Sequence, residues 1–170
     1  MGSIDRQAEI GHVHLKVADL ERAVSFYRDA LGFEEQGRIG VRAAFLSSGP
    51  RHHLLALNTW QSAGGPRPDR CATGLYSFGV RYPTRAALAR AVQRLIACGV
   101  ELLNASDHGV CESVYFEDPD GNRVEVYWDR PAESWPQTTD GRLAVIDMPL
   151  DLASLLTEIG RGSRMTRTPA

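Results

Sequence analysis

The sequence predicts an α+β fold of two βαβββ modules whose curved sheets pair around a central cleft, followed by a C-terminal tail with a short helix. Three observations predict it. Residues 11–33, GHVHLKVADLERAVSFYRDALGF, and 75–100, LYSFGVRYPTRAALARAVQRLIACGV, repeat one plan of strand, helix cap, amphipathic helix and glycine stop. Each is followed by a strand–turn–strand stretch, RAAFLSSGPRHHLLALNTW at 42–60 and ESVYFEDPDGNRVEVYW at 112–128. Between the halves, QSAGGPRPDRCAT at 61–73 has the Gly/Pro content of a linker. The expected organisation is a single domain over 1–170, with modules at 9–60 and 74–130, the linker at 61–73 and an extension at 131–170.

The first strand is read from the alternation of His12 to Val17. Asp19 is the N-cap of the first helix, whose apolar stripe is Leu20, Ala23, Val24, Tyr27, Ala30 and Leu31, and Gly32 ends it. In the second half Thr84 caps a helix with Leu88, Ala91, Val92, Leu95 and Ile96 on one side, and Gly99 follows. The turns SSGP and DPDG punctuate the strand pairs. In the tail, PAESWPQTTDG reads as irregular and DLASLLTEIG (151–160) as a short capped helix with Leu152, Leu155, Leu156 and Ile159 together. RGSRMTRTPA (161–170) is expected to be disordered.

Composition excludes several functional classes. The chain has 170 residues, 43% hydrophobic and 24% charged, which is ordinary for a globular protein with a real core. A net charge of −2 gives no basic field for nucleic acid and no polybasic stripe for a membrane surface. No apolar run is long enough to span a bilayer, and the N-terminus lacks a signal-peptide pattern, so the expected location is the cytoplasm. Cys71, Cys98 and Cys111 have no CxxC spacing and read as reduced thiols.

In two βαβββ modules, the first and last strands of each half are the natural places for side chains aimed into a cleft. Those four places fall on His12, Ala56, Ser77 and Glu125. Glu125 lies between Val124 and Val126 and shares its strand face with Arg123 and Tyr127, opposite the valines. His14 shares the face of His12. His52 and His53 are adjacent, so strand geometry would send them to opposite faces and bring one at most into the cleft. On residue type alone, His12 reads as a buried strand histidine and Glu125 as a solvated strand position.

The stretches GHVHLKVADLERAVSFYRDALGF, HHLLALNTW, GLYSFGVRYPTRAALARAV, SDHGVCESVYFEDPDGNRVEVYWDRP and SWPQTTDGRLAVIDMPLDLASLL carry a resemblance over roughly residues 9–160. The chain resembles the vicinal oxygen chelate superfamily of glyoxalases, bleomycin-resistance proteins and extradiol dioxygenases, and is most similar to short proteins like catechol 2,3-dioxygenase. The resemblance implies Fe(II) or another divalent metal held by two imidazoles and one carboxylate. His12 and Glu125 match the first and last of these positions, and Ser77 stands where the second imidazole is expected. His14 is the candidate to make good that loss. The resemblance also implies His53 as an acid–base group, Tyr115 as a catalytic hydrogen-bond donor, and His108 and Tyr127 as contacts to a small aromatic substrate. Three functions compete: an extradiol dioxygenase-like protein opening a catechol-type ring, a metal-free small-molecule binder of the bleomycin-resistance type, and a glyoxalase-type isomerase. The last would use a further carboxylate where Ala56 stands. The oligomeric state is left open between a monomer and a homodimer.

Overall fold

A computed structural model describes residues 4–162. The expectation of disorder at 161–170 falls, from residue 163 on, outside the described residues. The chain divides into two compact units, residues 1–68 and 69–170.

The first unit runs β1 (Val13–Lys16), α1 (Leu20–Phe26), β2 (Glu34–Ile39), β3 (Ala43–Ser47) and β4 (Leu55–Asn58). Asp19 caps α1 by accepting from the Arg22 amide at 3.0 Å. The helix does not continue in α geometry to Leu31: residues Tyr27–Leu31 form a π-helical turn that ends at Gly32, whose φ is 80°. That turn leaves Tyr27 with no solvent exposure. The sheet order is β1-β4-β3-β2, with β1 and β4 parallel and the others antiparallel. Leu15, Val17, Ala44, Leu46, Leu55 and Leu57 are buried on one face of the sheet, and α1 packs on β3 and β4. The start of the linker is tied down locally, since Ser62 Oγ donates to the Val17 carbonyl at 2.9 Å and the Gly64 amide to that of Ala18 at 2.8 Å.

The second unit repeats the plan with β5 (Phe78–Arg81), α2 (Arg85–Ala97), β6 (Leu102–Asp107), β7 (Cys111–Glu117) and β8 (Arg123–Asp129). It then adds β9 (Met148–Pro149) and α3 (Leu152–Gly162), and its sheet order is β5-β8-β7-β6-β9. Thr84 caps α2 through the Ala87 amide, and Asp151 receives the Ser154 amide at the start of α3. Val114, Phe116, Val124 and Val126 are fully buried on the face covered by α2, and Leu155 of α3 is equally buried. The Asp118–Asn122 turn is built around one carboxylate: Asp118 Oδ1 accepts from the amides of Asp120 and Asn122, and Oδ2 from Asn122 Nδ2 at 2.9 Å. It fixes the antiparallel register that sets Tyr115 opposite Glu125 and Ser113 opposite Tyr127.

Around one buried acid, the charges in this unit form an alternating chain. Glu112, 3% exposed, accepts from Arg85 at 2.7 Å and from Arg130 at 2.9 Å. Arg85 reaches on to Glu158 of α3, and Arg130 to Asp107 at 2.7 Å. Each charge has an opposite neighbour, which is what burial requires. The three cysteines are free thiols. Among the described residues no helix is long and apolar enough to cross a membrane.

Candidate functional site

In each sheet the helix buries one face, so any chemistry lies on the other. On the second sheet that face carries Glu125 and Tyr127 from β8 and Cys111, Ser113 and Tyr115 from β7, as strand alternation dictates. Glu125 is held by its neighbours: Oε1 accepts from Ser113 Oγ at 2.6 Å and from the Tyr115 hydroxyl at 3.1 Å. Oε2 takes no hydrogen bond within this sheet. Burial and the adjacent Glu125 charge push the Tyr115 phenol up to about 12, so it remains a neutral donor. His108 Nε2 lies 3.1 Å from the Tyr115 hydroxyl, which extends the chain to four side chains. Gly79 of β5 pairs with Glu125, and the Tyr127 ring lies over it so closely that a Cβ at residue 79 would sit 2.8 Å from Tyr127 Cε1. Burial, followed by Asp129, raises the Tyr127 phenol as well.

In the first unit the corresponding face gathers histidines. The His12 and His53 rings meet edge to face at 4.6 Å, and Phe45 lies 5.1 Å from His53. His52 and His53 do not diverge as expected of strand neighbours. They precede β4, in a bend, and their Nδ1 atoms lie 2.6 Å apart. Burial, then the charges of His52, His12 and His14, lower the His53 imidazole below its ordinary range and keep it neutral. His14 is engaged by Asn58: Oδ1 of that amide accepts from the Trp60 backbone, so Nδ2 faces His14 Nε2 at 2.9 Å. The imidazole therefore accepts on Nε2 and carries its proton on Nδ1.

The structure thus brings Glu125, Tyr115 and His108 into one network, with Tyr127 two residues along the same strand face, and brings His12 beside His53. His12, His14 and His53 lie in the first unit and the others in the second. Ser113 and Asn58 were missed from sequence. Ser113 was within reach of it, because the DPDG turn fixes which β7 residues lie beside Glu125. Asn58 was not, because it meets His14 only through pairing of strands 44 residues apart.

The side chains do not fit a metal site of two imidazoles and a carboxylate. Position 77 offers a hydroxyl where the second imidazole belongs, and Nε2 of His14, the candidate to replace it, is committed to Asn58. Among the described residues no three His, Cys, Asp or Glu side chains gather so as to hold a metal ion.

Comparison with known proteins bears on the same regions. The chain is 36% identical over 169 residues to catechol-2,3-dioxygenase of Bacillus subtilis, covering 99% of this chain and 58% of that protein. It is 30% identical over 128 residues to biphenyl-2,3-diol 1,2-dioxygenase 3 of Rhodococcus globerulus, covering 74% of this chain and 67% of the relative. The chain therefore spans well under the full length of the first of these. Among solved structures, lactoylglutathione lyase from Agrobacterium tumefaciens matches with a TM-score of 0.57 at 27% identity, covering 73% of this chain and 96% of that one. The family model described as Glyoxalase/Bleomycin resistance protein/Dioxygenase superfamily matches residues 9–126, and with the relatives above it places the chain in that superfamily.

Proposed function

We propose that the chain is an extradiol dioxygenase-like protein that binds a catechol-type aromatic, with Glu125 as the acceptor for the diol. The observation that carries this reading is the state of that carboxylate. Ser113 and Tyr115 fix Oε1 in place and leave Oε2 without a partner in its own sheet. An ionised carboxylate so positioned accepts well from a phenolic hydroxyl, and hydrogen bonds to charged acceptors are worth about 1.5–3 kcal/mol. Tyr115 stays protonated through the neutral range, which preserves the orientation of Glu125. Tyr127 supplies an aromatic surface on the same strand face. In the first unit, His53 is held neutral by burial and by its histidine neighbours.

Ring cleavage is the second reading, favoured by the identity of 36% over 99% of the chain with a protein named a catechol dioxygenase. Metal analysis and ligand binding on one preparation test both. Protein expressed with added iron is expected to carry little metal and yet to bind catechol more tightly than phenol. Ser77→His, which restores the missing imidazole, is expected to raise the iron content severalfold. Stoichiometric iron with oxygen uptake on catechol in the unaltered protein would replace the binding reading by the cleavage one. Equal affinity for catechol and phenol would remove the diol assignment.

A further inference from the structure

The C-terminal extension does more than cover the sheet edge. Residues 143–144 lie against 136–137, and the chain then returns along the end of β6, where Met148 pairs with Asp107 and Pro149 with Ser106. The Ile146 amide donates to the His108 carbonyl at 3.2 Å, and the Ile146 carbonyl faces His108 Nδ1 at 3.0 Å. Asp147 Oδ1 lies 3.8 Å from the same nitrogen. Both groups on that side of the ring only accept, so Nδ1 is the nitrogen that carries hydrogen. The other nitrogen, Nε2, meets the Tyr115 hydroxyl, which also faces Glu125 Oε1.

We propose that residues 143–149 are a strap that positions the Glu125 network: the Ile146 carbonyl fixes neutral His108 as its Nδ1–H tautomer, so that Nε2 competes with Glu125 for the single Tyr115 proton. The consequence for affinity rests on the diol reading above. With the Tyr115 proton shared, Glu125 is less fully satisfied and accepts a ligand hydroxyl more strongly. Without the strap, His108 reverts to the commoner Nε2–H form and donates to Tyr115, which then donates wholly to Glu125. Ile146 and its neighbours act through His108 and are positioning residues.

Gly109 offers a way to lift the strap without replacing any side chain of the network. Its φ is 75°, and a Cβ there would lie 2.8 Å from Pro136 Cγ and 3.2 Å from Ile146 Cγ1. Nitrogen-15 spectra of the imidazoles at alkaline pH read the tautomer of His108 directly, with His108→Gln to assign the signal. The expected result is Nδ1–H in the unaltered protein, with a shift to Nε2–H in Gly109→Ala and in Ile146→Pro, which removes the amide that anchors the strap. Catechol affinity is expected to fall roughly threefold to tenfold in both variants, the scale of one neutral hydrogen bond. An Nε2–H tautomer in the unaltered protein overturns the proposal even if neither variant folds, and so does an Nδ1–H tautomer that neither folded variant disturbs. Failure of the unaltered protein to bind catechol would count against the diol reading alone, because the tautomer is read without ligand.

Discussion

The two modules can be compared row by row, because each sheet repeats the same strand pairing. In the first, one row across β1, β4 and β3 reads His14, Ala56, Phe45. In the second, the equivalent row across β5, β8 and β7 reads Gly79, Glu125, Tyr115. The next row reads Lys16, Asn58, Ala43 in one and Arg81, Tyr127, Ser113 in the other. The helix-covered faces are apolar in both apart from Glu112 with its arginines in the second, while the opposite faces have exchanged roles. The first sheet puts its bulky polar group on the leading strand and a small residue beside it. The second removes the side chain at residue 79 and places an acid beside it, with two hydroxyl donors in reach. The carboxylate and its donors are thus one unit, and the acid alone would be a liability.

Moving the acid to the other module tests that lesson with the largest expected effect. Ala56 is 1% exposed, and its neighbours include Phe45 and Ala43 where Glu125 has Tyr115 and Ser113. Ala56→Glu is therefore expected to cost roughly 2–3 kcal/mol, because Phe45 and Ala43 offer it no donor and only the histidines of that face remain to pair with it. Urea unfolding reads the loss, and a variant within about 1 kcal/mol of the parent would show that the hydroxyl donors are not what makes position 125 tolerable.

A smaller effect separates the modules by pH. His53 titrates below its ordinary range, chiefly through burial. An unfolded imidazole titrates near about 6.5, so between the two values the unfolded chain holds the extra proton. Stability is then full above that range and declines as the pH falls through it. The urea midpoint is expected to drop between about pH 8 and pH 5, and His53→Gln is expected to reduce the drop. An equal drop in the variant would assign the acid sensitivity elsewhere.

The elements legible in the sequence were those fixed by local chemistry. Asp19 and Thr84 cap their helices as their types suggest, the DPDG turn folds on its own carboxylate, and alternation sets Glu125 opposite its valines. What escaped depended on where a strand begins or on distant pairing. His52 and His53 meet because β4 starts only at Leu55, so the alternation rule does not yet apply to them. The contact of His108 with Ile146 joins residues 38 apart, through a part of the tail beyond the irregular stretch to which the sequence assigns no element. No local signal marks either.

The most direct test of the account is the effect of Glu125→Gln on discrimination between catechol and phenol, measured by titration calorimetry. The amide keeps the shape and loses the charge, so Ser113 and Tyr115 retain an acceptor. The account predicts that catechol affinity falls more than about tenfold and that phenol, with one hydroxyl to donate, loses less, so that the preference for the diol shrinks. Undiminished discrimination in the variant would contradict it.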